Sequence, residues 1–403
     1  MMRLFLEATI KIAILIGGLM TAAAYLVLLE RRVAAWVQDR RGPNRVGIPL
    51  TKISLFGLGQ PLADGLKFIF KEEYTPAHVD RWLYTLAPLS ILAAALATFA
   101  VIPFGSVIPP IGEGGPIPLV VAPGVDVGMV YVFALSSMAV YGVILGGWAS
   151  NNKYSFLGGL RSSAQLIAYE IPLSLGILGV VLASGSLRLD TIIDQQAATG
   201  VWNILVQPLG FVVFMIAAFA ESARLPFDLP EAEQELIGGY HTEYSGMRLL
   251  LYLIAEFLHM VTAAFLIAIL FLGGWHLWGL TGSGDEITLF TAVLRIVVLT
   301  VKVLATIFFM MMVRWSWPRF RFDQLMSLAW KVMLPLGLVN LVAMAFVVEY
   351  RQWFAGTGTW AAVALGWVVL IGSSVGMALL APLSSDNRPR SASEGAARQQ
   401  IFS

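Results

Sequence analysis

Cysteine is absent from the 403 residues, and histidine occurs four times, at His78, His241, His259 and His276. Without cysteine this chain has no disulfide, no thiolate nucleophile, no cysteine-bound zinc and no iron–sulfur cluster of its own. The scattered histidines supply no ligand set, so a metal or haem site within the chain is not expected. Charge is scarce too: 13% of residues are Asp, Glu, Lys or Arg, against roughly 25% in a soluble domain. Such a chain cannot cover its surface with polar side chains. It shows no catalytic triad, no glycine loop for phosphate and no nucleic-acid surface. It also shows no internal repeat, which weighs against a repeat-built transporter. Redox chemistry, if any, must come from a partner or a diffusible cofactor.

What fills the sequence is apolar, at 58% hydrophobic residues. A helix needs about 20 apolar residues to cross the hydrocarbon core. Nine runs qualify, near 5–29, 83–102, 127–149, 164–184, 201–220, 247–272, 287–313, 332–348 and 360–382. This predicts an all-α polytopic membrane protein, with residues 1–383 as a single membrane domain and 384–403 as a disordered cytoplasmic tail. The first run is too long, and too closely followed by basic residues, for a cleaved signal peptide, and reads as the first span.

Charge sign is sorted along the chain. Of 26 Lys and Arg, 20 fall in the tail and the connections after spans one, three, five and seven. Three fall on the opposite face, and Lys11, Arg295 and Lys302 lie inside spans. The positive-inside rule then predicts an outer N-terminus and a cytoplasmic C-terminus.

Three inner connections carry information. The first opens with ERRVAAWVQDRRGPNRVG (Glu30 to Gly47) and continues as QPLADGLKFIFKEE (Gln60 to Glu73). Leu62, Leu66, Ile69 and Phe70 share one helical face and Asp64, Lys67 and Lys71 another, so an amphipathic helix at the interface is expected. Either it is an anchor in lipid, or the break at Gly42-Pro43-Asn44 turns charged side chains toward a cavity or a docked partner. AESARLPFDLPEAEQELIGGYHTEYSG (Ala220 to Gly246) runs against the positive-inside trend with Glu221, Asp228, Glu231, Glu233, Glu235 and Glu243. It reads either as a solvated loop or as a functional cluster whose crowding perturbs its titration; the stiffening prolines Pro226 and Pro230 favour the second. The third, RWSWPRFRFDQLMSLAWKVMLP (Arg314 to Pro335), reads as an aromatic belt with snorkelling arginines.

Ionisable groups inside spans are costly. Glu170, followed by Pro172, and Glu256, with His259 one turn on, must therefore face protein or water. With Glu221 they lie at similar depth. Two accounts fit: a proton or cation path, or structural ion pairs with Lys302 and Arg295.

These loops, together with SSAQLIAYEIPL (Ser162 to Leu173) and PRFRFDQLMSLAWK (Pro318 to Lys331), closely resemble the H-type membrane subunit of bacterial NADH:quinone oxidoreductase, respiratory complex I. The motifs occur in order from the first span through the eighth; span nine and the tail lie outside the common eight-span pattern. The resemblance implies a multi-pass subunit of the bacterial plasma (inner) membrane, at the junction with the peripheral arm, forming much of the tunnel for a quinone substrate, ubiquinone or menaquinone. Residues matching the tunnel lining are Arg31, Trp36, Arg40, Asp64, Lys67, Arg314 and Arg319; one position often aromatic in the family is Leu253 here. Residues matching the acidic loop and the start of the proton path are Tyr169, Glu170, Glu221, Arg224, Asp228, Glu231, Glu233, Glu235 and Glu256. The implied partners are peripheral quinone-reducing and iron–sulfur subunits, membrane proton-pumping subunits and the lipid bilayer, not nucleic acid. FMN and the iron–sulfur clusters would reside in partners, with no metal or flavin and no complete active site here. Two other functions remain open: the membrane anchor of a related energy-converting hydrogenase, or a stand-alone ion-coupled transporter.

Overall fold

A computed structural model describes residues 2–47, 56–109, 115–228, 237–278, 280–281, 288–349 and 359–380. The expected tail and Glu231, Glu233 and Glu235 lie outside them. Among the described residues the chain is all-α apart from a hairpin of two-residue strands, β1 (Val107–Ile108) paired with β2 (Ile117–Pro118). The first helices are α1 (Met2–Val37), the amphipathic α2 (Gln60–Phe70) and α3 (Arg81–Thr98). Then come α4 (Gly128–Ala149), α5 (Lys153–Ser184), α6 (Leu189–Thr199), α7 (Asn203–Val206) and α8 (Pro208–Glu221). The last are α9 (Gly246–Leu270), α10 (Leu289–Ser316), α11 (Phe322–Glu349, with a π turn at Leu328–Met333) and α12 (Thr359–Leu380).

Among the described residues, eight helices are long and apolar enough to cross a membrane. The exception is the fifth expected run, which is divided. Pro208 supplies no amide proton and disfavours helical backbone at the residue before it. Gln207 accordingly sits at φ −130°, ψ 61°, ending the four-residue α7. The 14 residues of α8 then extend about 21 Å, short of the roughly 30 Å hydrocarbon core. Three other boundaries move: α1 runs on to Val37 rather than ending at 29, α5 starts at Lys153 rather than 164, and α11 starts inside the expected third basic connection.

The core sits around α9. Every residue from Met260 to Phe271 is buried, as a helix that is apolar all round requires. By contrast α12 has no buried side chain among its described residues. Close approach depends on small residues. A Cβ on Gly142 of α4 would lie 2.1 Å from Ile91 Cγ1 and 2.9 Å from Ala87 O of α3, so only glycine permits that crossing. Gly158 of α5 does the same against the turn before α9, where its Cβ would meet Gly239 Cα at 2.6 Å. That contact fixes the turn carrying Tyr240.

Lys302 corrects one sequence expectation. Its ammonium donates to the carbonyls of Leu272, Gly274 and His276 at 2.6, 2.9 and 2.6 Å. It also lies 4.4 Å from the Trp202 ring centroid. All three donors serve backbone acceptors just past the end of α9, and Arg295 Nε likewise donates to Thr281 O at 3.2 Å. Lys302 thus pins the turn that follows α9 rather than neutralising a buried carboxylate. We expect Lys302→Met to cost about 2 kcal/mol or more, because three acceptors lose a charged donor. The readout is the thermal midpoint of the detergent-solubilised protein; an unchanged midpoint would remove this role.

Candidate functional site

Two clusters meet at the end of α8. The first is built of ion pairs. Asp64 of α2 accepts from Arg31 Nη1 at 2.7 Å, lies 3.7 Å from Lys67 Nζ, and receives Gln60 Nε2 at 3.3 Å. One residue earlier on α1, buried Glu30 receives Arg224 Nη1 on both carboxylate oxygens, at 3.2 and 3.1 Å. Arg314 Nη1 donates to the same carboxylate. The Arg224 guanidinium also stacks 4.2 Å from the Phe257 ring centroid, so an apolar wall covers its other face. Four residues after Arg224, buried Asp228 accepts from Arg319 Nη2 at 3.1 Å. Aromatic rings brace this turn: Phe227 stacks on Phe320 at 5.5 Å and tilts against Tyr169 at 5.6 Å. Gln165 Nε2 pins the turn further by donating to the carbonyls of Ala220 and Phe227, both at 2.8 Å.

The second cluster is a cavity of about 50 Å³ between α3, α4, α5, α8 and α9. Its polar lining includes Glu221, Glu256, Ser136, Tyr240, Tyr252 and His259. Ser136 Oγ donates to Glu221, and the adjacent Ser137 Oγ donates to Glu170. Glu170 lies near enough for its charge to act on Glu221. Tyr240 Oη donates to Glu256 Oε1 at 3.3 Å. Three carboxylates from α5, α8 and α9 are therefore gathered, each with a hydroxyl partner. Such groups can accept, hold and pass a proton over short distances.

The structure brings together Arg31, Asp64 and Lys67; Arg224 and Arg314; Arg319 and Asp228; and Glu170, Glu221 and Glu256. Two other expected residues stand apart, and a third, Tyr169, joins only through its ring against Phe227. Trp36 is exposed, Arg40 is exposed with Nε donating to Gln38 Oε1 at 2.8 Å, and Tyr169 turns its hydroxyl to Leu325 O of α11 at 2.9 Å. Glu30, Ser136, Ser137 and Tyr240 were not singled out by the sequence. The adjacent serines inside an apolar span were the one local signal. A larger apolar cavity of about 690 Å³ lies between α1, α9 and α10, reaching from Lys11 to Leu29, and none of the residues matched to the tunnel lines it.

With this geometry in place, comparison with known proteins is decisive. The family model described as NADH dehydrogenase matches residues 10–345, from α1 through nearly all of α11. The chain belongs to the NADH dehydrogenase family. It is 47% identical over 341 residues to a Geobacter metallireducens protein named as an H-type subunit of NADH-quinone oxidoreductase, spanning 85% of this chain and 96% of that one. A Flavobacterium johnsoniae protein of the same name is 42% identical over 354 residues, spanning 88% and 98%. The resemblance carried by the loop motifs is thereby shown, and α12 lies beyond the matched residues. The two clusters, by contrast, lie wholly within the part of the chain shared with the family.

Proposed function

We propose that this chain is the membrane subunit of a proton-pumping NADH:quinone oxidoreductase that admits the quinone and couples its reduction to proton translocation. One observation carries the reading: the short segment from Glu221 to Asp228 belongs to both clusters. Glu221 closes α8 facing the carboxylate cavity, Arg224 joins the Glu30 pair, and Asp228 holds Arg319. A quinone reduced beside these ion pairs takes up two protons and changes the local charge. Through this one rigid turn the change reaches Glu221, and from there Glu170 and Glu256. Glu231, Glu233 and Glu235 would extend the acidic side of the relay.

On this reading the chain sits in the bacterial plasma membrane with the ion-pair end toward the cytoplasm. It contacts peripheral subunits bearing the iron–sulfur clusters and FMN, and membrane subunits that pump. The names of its relatives support quinone over the hydrogenase alternative, as do the GPNRVG segment and the long acidic loop. Affinity purification of the tagged chain in mild detergent should recover NADH-oxidising subunits; recovery of hydrogenase subunits would instead select the other reading. Within the assembled complex, Arg31→Ala or Asp64→Ala should lower quinone reduction relative to ferricyanide reduction by about tenfold, some 1.4 kcal/mol of barrier. Equal losses in both assays would point to misassembly and remove the tunnel assignment.

A further inference from the structure

The carboxylate cavity has a second wall, of which the relay uses Tyr240 alone. Tyr84 of α3, Tyr240 and Tyr244 of the turn before α9, and Tyr252 of α9 pack ring to ring. Tyr84 stacks on Tyr244 at 4.1 Å and 8°, Tyr244 meets Tyr252 edge-on at 4.9 Å, and Tyr252 meets Tyr240 at 5.2 Å. The hydroxyls converge as well. A Cβ built on Gly146 would lie 2.3 Å from Tyr252 Oη and 3.6 Å from Tyr244 Oη. Tyr244, 4% exposed, buries its Oη beside that of Tyr252, with which it interacts, and with no other hydrogen-bond partner among the described residues.

The two ends of this column differ in kind. At one end, Tyr84 Oη donates to Glu243 O at 2.6 Å, the Arg248 guanidinium lies 5.2 Å from its ring centroid, and the charges of Arg248, Glu243 and Glu73 all act on it. Glu243 is half-buried, with Oε1 receiving Asn152 Nδ2 at 2.5 Å, and Glu73 is exposed. At the other end, Tyr252 and Tyr240 line the cavity of Glu221 and Glu256, where His259 Nε2 also has no hydrogen-bond partner among the described residues. Four phenols packed for shape alone would not need to run from surface carboxylates to buried ones.

We propose that Tyr84, Tyr244, Tyr252 and Tyr240 form a proton route from Glu243 to the Glu221 and Glu256 cavity, separate from the ion-paired turn at Glu30 and Asp228. The inference rests on the relay reading above. A proton taken from water by the Glu243 carboxylate passes to the first phenol. Once Tyr84 and Tyr252 turn their hydroxyls from the carbonyls of Glu243 and Gly142, to which they donate at 2.6 and 3.4 Å, each phenol oxygen accepts a proton from behind as it releases its own forward, so no tyrosine changes charge. Glu256 ends protonated, and Glu243 is recharged from water. Burial pushes the Tyr244 phenol well above the usual phenol range, which keeps it neutral as such transfer requires. The cavity, at about 50 Å³, exceeds the roughly 10–15 Å³ that one water needs, and a water there completes the step between Tyr252 and Glu256.

The test uses the whole complex in proteoliposomes, with turnover and pumping normalised to assembled complex. Tyr252→Phe and Tyr244→Phe keep every ring contact and remove only a hydroxyl. Each should slow coupled turnover about fivefold or more and raise the solvent deuterium isotope effect. Glu243→Gln, which keeps an oxygen to accept from Asn152 Nδ2, should give the same loss. Turnover in all three variants within about twofold of wild type, with pumping lost in Glu256→Gln, would overturn this route and leave the relay standing. Wild-type pumping in Glu256→Gln and Glu170→Gln as well would overturn both.

Discussion

Replacing Glu30 with alanine should abolish assembly of this subunit or leave it severely destabilised. Its carboxylate faces two guanidinium groups, and the three side chains are 11%, 8% and 19% exposed for Glu30, Arg224 and Arg314. Removing one partner of a buried ion pair costs about 3–5 kcal/mol, because the remaining charge stays in a medium that cannot solvate it. Here two cations would be left, one against the Phe257 ring. A loss of that size is a large share of a typical stability of about 5–15 kcal/mol. The measurement is the amount and thermal midpoint of assembled complex after mild solubilisation. A Glu30→Met, Arg224→Met, Arg314→Met triple variant should recover much of that midpoint, since it removes every uncompensated charge together. A single variant as stable as wild type would contradict the arrangement. The exposed pair of Arg31 and Asp64 gives the contrast: at 42% and 20% exposure it should add only about 0–1 kcal/mol. Losses of quinone reduction in Asp64→Ala therefore report on function rather than folding.

The second large effect concerns protons rather than stability. Glu256→Gln keeps size, shape and an oxygen to accept from Tyr240, and Glu170→Gln keeps one for Ser137. Neither amide can take up and release a proton near neutral pH. Each variant should assemble normally yet lose proton translocation coupled to quinone reduction by about tenfold or more, as when a positioned acid–base group is removed. Pumping at the wild-type rate in both assembled variants would end the relay assignment.

How much of this was legible in the sequence follows from which forces act locally. Membrane spans are read easily because the bilayer demands a long apolar run whatever the rest of the chain does. The fifth run failed because hydropathy averages over Gln207-Pro208, although that dipeptide itself signals a break. Glu170, Glu221 and Glu256 stood out by their cost in an apolar setting, and Asp64 with Lys67 by helical spacing. Their partners did not. Arg31 and Asp64 come from different elements, and Glu30 finds Arg224 and Arg314 at separations of 194 and 284 residues. No window on the sequence spans such distances. Lys302 misled for the same reason: a buried cation suggests a carboxylate, but the converging carbonyls of a turn satisfy it equally well. Family resemblance found most of the ion-paired residues, while Ser136, Ser137 and Tyr240 needed coordinates.

The pairing of Glu30 with Arg314 also sets a timetable for biogenesis. At a synthesis rate of roughly 5–20 residues per second, the 284 residues between them take about 15–60 s to emerge. Throughout that interval the first helix has left the ribosome while its terminal carboxylate lacks one of its two cations. Insertion of α10 is therefore the event that closes the ring, and a ribosome stalled before it releases a nascent chain with its first and last parts still unjoined.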